Sequence, residues 1–231
     1  MEPIDLTAPG AARIAARWFA AESAPRAAVL VAGAMGVKQD YYAEFATWLA
    51  QQGFAALTFD YRGIGASRPQ HMRSLRGFEA DLFDWADDVD AAIEHLSSAA
   101  PGVPLYVIGH SLGAQLPGML KHRDRIAGLV SVAAGSGYWR DNAPPLKRMV
   151  LYFWHILVPV ATWLCGYFPG ARLKKVGDVP RGVILQWRRW CLNPRYHVGH
   201  EGEVLRARFA AAQFPIVALS MTDDELMTER G

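Results

Sequence analysis

The pentapeptide Gly-His-Ser-Leu-Gly at positions 109–113 follows a short apolar run at 105–108. A G-x-S-x-G pattern in this context places its serine on a sharp strand-to-helix turn, with the hydroxyl exposed at the end of the strand. The turn strains the serine backbone, and the flanking glycines let neighbouring backbone approach closely. The sequence therefore predicts a strand, a turn and a helix, with Ser111 as a nucleophile. The alternative is a serine that only turns the chain.

Short apolar runs alternate with helical patterns through most of the chain. Continuously apolar strands are buried on both faces, and their alternation with helices is typical of parallel sheets. The predicted fold class is therefore α/β, a mostly parallel sheet flanked by helices. After a predicted opening hairpin, the apolar runs that we interpret as strands lie at 27–31, 55–59, 105–108, 128–133 and 216–219.

Helical patterns follow several of these runs. Asp40 is expected to cap a helix that ends at Gly53, and a helix after Gly113 is expected to be kinked by Pro117. Apolar residues form one stripe from 77 to 99, which predicts a long amphipathic helix. Because acids in the first turns of a surface helix are favourable, we expect a solvated face there rather than a metal site. The acids concerned are Asp81, Asp84, Asp87, Asp88 and Asp90.

The composition favours a globular protein with a small-molecule partner. Of 231 residues, 52% are apolar and 20% are charged, which suits one domain with an inserted subdomain. The net charge is +2 and basic residues form no runs, so the sequence gives no indication of nucleic-acid binding. Cys165 and Cys191 form no disulfide framework or metal-ligand spacing. The N-terminus lacks the pattern of a secretory signal, so we expect a cytoplasmic protein.

The alternation breaks between positions 135 and 209, where Trp, Tyr, Phe and Arg become frequent. We interpret 135–209 as a helical cap inserted into a core formed by 1–134 and 210–231. Positions 149–168 contain no Asp, Glu, Lys or Arg. A segment of this length can span a bilayer. His155 and Pro159 interrupt this segment, and we favour a cap whose apolar face lines the pocket of an apolar substrate.

A second feature of the cap is the run Trp-Arg-Arg-Trp at 187–190. Its aromatic and cationic side chains can contact a carboxylate or a lipid headgroup, or pack against the core. We favour packing.

Three motifs together resemble the α/β-hydrolase superfamily, and more narrowly the bacterial hydrolases with serine aminopeptidase-like or lysophospholipase-like domains. They are the run Asp-Tyr-Arg-Gly-Ile-Gly-Ala-Ser at 60–67, the pentapeptide at 109–113, and Leu-Ser-Met-Thr-Asp-Asp at 219–224. The resemblance covers nearly the whole chain. It implies a serine hydrolase that acts on carboxylic esters or related acyl groups, with no metal or organic cofactor.

The resemblance also implies roles for particular residues. The amides of Leu112 and Ala34, or alternatively Met35, are expected to form the oxyanion hole. The acid of a Ser-Asp-His triad is expected at Asp223, with Asp224 as the alternative. In the run at 60–67, the polar residues are expected to shape a loop rather than to take part in catalysis.

A triad histidine in this fold follows the acid by one more helix and strand, roughly 20 to 30 residues. Only 225–231 follow Asp224, and none of them is histidine. We therefore expect a chain that is truncated relative to this fold, nearly inactive, and of low stability or prone to association. A less favoured base is a cap histidine: His155, His197 or His200.

Two other functions stay open. One is an inactive hydrolase-like domain that binds an apolar ligand or a protein partner through its cap. The other is a membrane-associated protein that inserts 149–168.

Overall fold

A seven-stranded sheet lies at the centre of the computed structural model, which describes residues 1–143, 146–174, 176–222 and 224. Its strands are β1 (Glu2–Ala8), β2 (Ala12–Phe19), β3 (Ala27–Ala32), β4 (Phe54–Phe59), β5 (Leu105–His110), β6 (Ile126–Val132) and β9 (Ile216–Leu219). Their order across the sheet is β1-β2-β4-β3-β5-β6-β9. The hairpin β1-β2 and the pair β2-β4 are antiparallel, and the other neighbours are parallel. The mostly parallel α/β fold expected from the sequence is therefore confirmed.

Helices cover both faces of this sheet. Val29 of β3 points to one face and packs with Leu49 of helix α1 (Ala43–Gln51). Leu30 points to the other face and packs with Trp85 of helix α2 (Leu82–Ala99). Successive residues of a strand point to opposite faces, so a strand covered on both sides must be apolar throughout. This explains why all six residues of β3 are buried.

The start of α1 differs from the expectation. A 3₁₀ turn at Gln39–Tyr42 precedes the helix, and Tyr42 occupies the capping position without a side-chain cap. Asp40 instead forms an ion pair with Arg17 of β2. The expected capping role of Asp40 is therefore wrong, because the extra turn moves the capping position from Asp40 to Tyr42, two residues along the chain.

The acids of α2 are less solvated than expected. Asp88 is fully buried and Asp90 is 5% exposed. Asp88 pairs with Arg62, and Asp90 accepts hydrogen bonds from two backbone amides of the loop that precedes β6. Asp81 caps the helix in a capping box, as its position at the N-terminus allows. The prediction of a solvated face is wrong for Asp88 and Asp90, since each carboxylate is buried and has partners from another part of the chain.

No α-helix follows Ser111 in the described part of the chain before β6. Two 3₁₀ turns, Ser111–Ala114 and Pro117–Met119, replace the expected helix. Pro117 has no N–H to continue a helix and begins the second turn instead. A Cβ on Gly118 would lie 2.3 Å from the ring of Phe209, so the chain there packs closely against a later helix.

The segment 135–209, which we call the cap, is helical and shares one hydrophobic core with the sheet. Its longest helix runs from Lys147 to Cys165 as α3 (Lys147–Tyr152), a π-helical turn (Phe153–Leu157) and α4 (Val158–Cys165). Trp190 is fully buried, which agrees with the packing role expected for the run at 187–190. The other elements are a ribbon of β7 (Phe168–Pro169) with β8 (Asp178–Val179), and helices α5 (Arg181–Cys191), α6 (Tyr196–Glu201) and α7 (Glu203–Ala210), which ends one residue beyond the cap.

Candidate active site

Ser111 lies at the end of β5 in a strained backbone conformation. Its φ is +51°, in the left-handed region that residues other than glycine rarely occupy. Gly109 has no room for a side chain, because a Cβ would lie 2.4 Å from the Cα of Ala114. At Gly113 a Cβ would lie 2.2 Å from the carbonyl oxygen of Ala32. The two glycines therefore let the turn close on itself and pack against the end of β3, as the pentapeptide predicts.

The three amides expected at the oxyanion hole belong to buried residues. Leu112, Ala34 and Met35 are 1%, 7% and 3% exposed. The amide of Ala34 donates a hydrogen bond of 2.8 Å to the hydroxyl of Tyr42. Among the described residues, no acceptor is hydrogen-bonded to the amide of Leu112 or of Met35. The amide of Ala34 is therefore engaged within the protein.

Tyr42 joins the loop after β3 to the turn that carries Ser111. Its hydroxyl lies 2.9 Å from Nδ1 of His110, in addition to its contact with the amide of Ala34. Burial raises the pKa of Tyr42 to about 12 and lowers the pKa of His110. The two groups share one hydrogen bond, in which the hydroxyl or the imidazole donates according to the tautomer of His110. The ring of Tyr42 also contacts Gly33, where a Cβ would lie 2.9 Å from it.

The sequence does not predict this role of Tyr42. By its helical spacing from later apolar residues, Tyr42 is expected only to pack as one apolar position of a helix. Nothing in the local pattern distinguishes a tyrosine that packs from one that bridges two loops. The partner Ala34 is eight residues away and His110 is 68 residues away.

The candidate acids follow β9. Asp223 lies outside the described residues. Asp224 is partly buried, and its amide donates to the carbonyl of Met221. Because β9 pairs in parallel with β6, which in turn pairs in parallel with β5, the loop that carries Asp224 leaves the same edge of the sheet as Ser111.

Within the described part of the chain, no histidine is hydrogen-bonded to the hydroxyl of Ser111. His110, the nearest in sequence, uses Nδ1 for Tyr42. In the cap, the ring of His197 contacts the ring of Phe209 in a tilted arrangement, and His200 accepts a hydrogen bond from Arg189. His155 is exposed on the cap helix. The alternative base from the cap receives no support from these contacts.

The run at 60–67 forms a fixed loop, as expected. The carboxylate of Asp60 accepts hydrogen bonds from the amides of Gln39 and Ala66, at 2.8 and 2.9 Å. The hydroxyl of Ser67 donates to the carbonyl of Asp60 and accepts from the amide of Ala15. These side chains are occupied by backbone groups, which explains their presence in the motif without a catalytic role.

Hydrogen bonds tie the cap to the chain just after Ser111. The hydroxyl of Tyr196 donates to Gln115 at 2.7 Å and accepts from the indole of Trp187 at 2.8 Å. The amide of Gln115 also donates to the carbonyl of Gly135, where the cap begins. The cap is therefore anchored four residues beyond the candidate nucleophile.

The structure is similar to solved α/β-hydrolase structures. A soluble variant of monoglyceride lipase from Saccharomyces cerevisiae, in complex with a substrate analogue, has a TM-score of 0.56 and 20% identity over 71% of this chain and 52% of that one. The α/β hydrolase GrgF from Penicillium sp. sh18 has a TM-score of 0.51 and 20% identity over 81% of this chain and 63% of that one. A structure described as DBJA (mutant dbja delta) has a TM-score of 0.59 and 18% identity over 94% and 80%.

At these identities the likeness shows the fold alone. The chain spans about half the length of the monoglyceride lipase structure. A comparison with curated protein sequences found no match. The family model described as serine aminopeptidase, S33, matches residues 23–176, more than half of the chain, and includes both the loop after β3 and the turn at Ser111. The chain therefore belongs to the serine aminopeptidase (S33) family of α/β-hydrolase enzymes.

Proposed function

We propose that this protein is a serine hydrolase that cleaves carboxylic esters or related acyl compounds, with Ser111 as the nucleophile. The observation that carries the proposal is the positive φ of Ser111 between two glycines that have no room for a side chain. Such strain persists only where the surrounding structure enforces it, and it is concentrated at functional sites. The strain here holds a hydroxyl at the end of a parallel strand, where enzymes of this fold carry their nucleophile.

In the proposed reaction, Oγ of Ser111 attacks the carbonyl carbon of the substrate, and the carbonyl electron pair moves to the oxygen. The amides of Leu112 and Met35 stabilise this oxyanion, because neither has a hydrogen-bonded acceptor within the described chain. Met35 replaces Ala34 in this role, since the amide of Ala34 already donates to Tyr42. Collapse of the intermediate expels the alcohol and leaves an acyl-serine, which water then hydrolyses.

The proton of Ser111 requires a base. We propose a histidine oriented by Asp224 or Asp223, in a Ser-Asp-His arrangement. Among the described residues no histidine is hydrogen-bonded to Ser111, so we expect very slow turnover from the 231-residue chain by itself. Loss of one triad member costs several orders of magnitude in rate.

The proposed substrate is a small apolar ester. The cap presents aromatic side chains that pack into the same core as the sheet, among them Trp154 and Tyr196. Gln115 connects this segment to the turn at Ser111. The monoglyceride lipase that shares the fold binds a substrate analogue, which agrees with an acyl ligand in such a scaffold. Apolar walls with a few polar groups are typical of small-molecule sites.

A fluorophosphonate probe tests this proposal, because it reacts with an activated serine. We would label the chain and its Ser111→Ala variant, each with and without imidazole as a replacement base. We expect weak labelling that imidazole increases at least tenfold in the chain and not in the variant. Strong labelling without imidazole would mean that a histidine of this chain already serves as the base.

Absence of Ser111-dependent labelling in every condition would contradict the enzymatic proposal. It would favour the second candidate, a hydrolase-like domain that binds an apolar ligand without cleaving it. The observation that favours this candidate is the lack of a histidine hydrogen-bonded to Ser111 within the described chain.

A further inference from the structure

The cap helix from Lys147 to Cys165 is apolar on both of its sides. Its inner side buries Trp154, Val158 and Thr162, which recur every four residues and pack against the rest of the protein. Its outer side carries six large apolar side chains that are 49–79% exposed; five of them recur every three or four residues, and the sixth directly follows the fifth. We call this set the outer stripe: Met149, Tyr152, Ile156, Val160, Trp163 and Leu164.

A contiguous stripe of this kind is unusual on a surface in water. Single exposed apolar residues are common, whereas continuous apolar patches mark sites that contact another apolar phase or molecule. The segment is long and apolar enough to cross a bilayer, and only 22% of it is buried. The three buried residues hold the helix against the core, so that it lies along the protein surface with the outer stripe facing away.

The charges around the outer stripe indicate what it contacts. No Asp or Glu occurs between Met149 and Ala171. Arg148 is exposed before the stripe, and Arg172 and Lys174 are exposed after it. A further cation, Arg76, donates a hydrogen bond of 2.7 Å to the carbonyl of Leu164 at the end of the helix. An apolar stripe between cations complements a lipid surface with anionic headgroups.

The aromatic residues of the stripe agree with this partner. Trp163 is the most exposed member at 79%, and Tyr152 is 53% exposed. Tryptophan and tyrosine are enriched where a membrane meets water, because each has an apolar ring and a polar atom.

We propose that the outer stripe docks this protein on the surface of an anionic lipid bilayer, with the helix parallel to the membrane plane. The apolar side chains enter the boundary between headgroups and acyl chains, and the flanking cations contact the headgroups. Ser111 takes no part in this binding, so the proposal stands apart from the proposed hydrolase activity.

Co-sedimentation with lipid vesicles tests the proposal. The full chain should bind vesicles of phosphatidylcholine mixed with phosphatidylglycerol, and bind vesicles of phosphatidylcholine alone less tightly. High salt should weaken the binding. The double variant Ile156→Gln/Trp163→Gln should bind at least tenfold more weakly, since each buried apolar side chain contributes about a factor of ten. Trp48→Gln, at a half-exposed tryptophan of α1, is the matched control and should bind like the unchanged chain.

Several results would overturn the proposal. The first is no binding to either vesicle, and the second is equal binding by the double variant. If light scattering shows dimers that the double variant abolishes, without vesicle binding, the stripe contacts a second copy of the chain instead. Resistance of bound protein to alkaline carbonate would indicate a membrane-spanning helix. Circular dichroism of each variant distinguishes loss of binding from loss of folding. The Ser111→Ala variant should bind vesicles like the unchanged chain.

Discussion

The hydroxyl of Tyr42 contacts two residues whose relative position determines the geometry of the candidate site. Ala34 belongs to the loop after β3, and His110 precedes the nucleophile on β5. A buried hydrogen-bonding group left without its partner costs about 1 to 3 kcal/mol. The contacts of one tyrosine therefore bear on the stability of the fold as well as on the geometry of the site.

We predict that Tyr42→Phe lowers the free energy of unfolding by about 1 to 3 kcal/mol, because it leaves the amide of Ala34 without an acceptor in a buried position. Urea denaturation followed by circular dichroism measures the change. Tyr41→Phe is the matched control, since the neighbouring ring is 73% exposed. Equal stabilities of the two variants would contradict a structural role for the hydroxyl of Tyr42.

The glycines of the turn give a second prediction at this scale. Gly113→Ala should leave little soluble folded protein, because its Cβ would lie 2.2 Å from the backbone oxygen of Ala32. Gly102→Ala is the control. Gly102 has a positive φ of +79°, unlike Gly113, but no atom of the described residues beyond its chain neighbours lies within 4 Å of the added Cβ, so a cost of about 1 kcal/mol is expected. Comparable yields and urea midpoints would show that the close approach at Gly113 does not constrain the turn.

At the scale of elements, an ion pair joins α2 to the loop after β4. Arg62 donates from its backbone amide and from Nε to the carboxylate of Asp88, each at 2.8 Å, and both residues are buried. Removal of one partner from a buried pair is costly, because here Arg62 would keep only the partly exposed carboxylate of Asp84, 2.8 Å away.

We predict that Asp88→Asn destabilises the protein by about 3 kcal/mol in urea denaturation. Asp87→Asn makes the same chemical change one residue earlier. Asp87 pairs with Lys121 at the surface, so the expected loss there is below about 1 kcal/mol. The prediction fails if the two variants unfold at the same urea concentration.

The same pair shows why the expected solvated face of α2 is wrong for Asp88. The apolar stripe of this helix predicts that its acids lie on the other side, towards solvent. The side that Asp88 occupies faces Arg62, which is 26 residues earlier in the chain. Periodicity within a helix contains no information about such a partner.

At the scale of the whole molecule, β9 ends the sheet in the described part of the chain. Ile216, Val217 and Leu219 are 47–58% exposed, and among the strands of the described residues only β6 pairs with β9. An exposed apolar edge strand is a template for pairing with another chain.

We therefore expect association that increases with protein concentration, as measured by light scattering. Val217→Lys should reduce this association, because a charge on an edge strand opposes pairing. Val204→Lys is the control, since Val204 is 70% exposed on α7 and is not part of the edge strand. Unchanged association in Val217→Lys would show that β9 does not form the contact.

The sequence by itself determined the α/β fold and the turn that carries Ser111. The reason is that both depend on local chemistry: buried strands must be apolar on both faces, and a closed turn requires glycine at 109 and 113. The tertiary structure decided the features that depend on distant partners. It turned the amide of Ala34 towards Tyr42, buried Asp88 against Arg62, and replaced the helix after Ser111 with two 3₁₀ turns packed on Phe209. Each partner is brought into contact only by the assembled sheet and its cap, so no local pattern in the sequence predicts it.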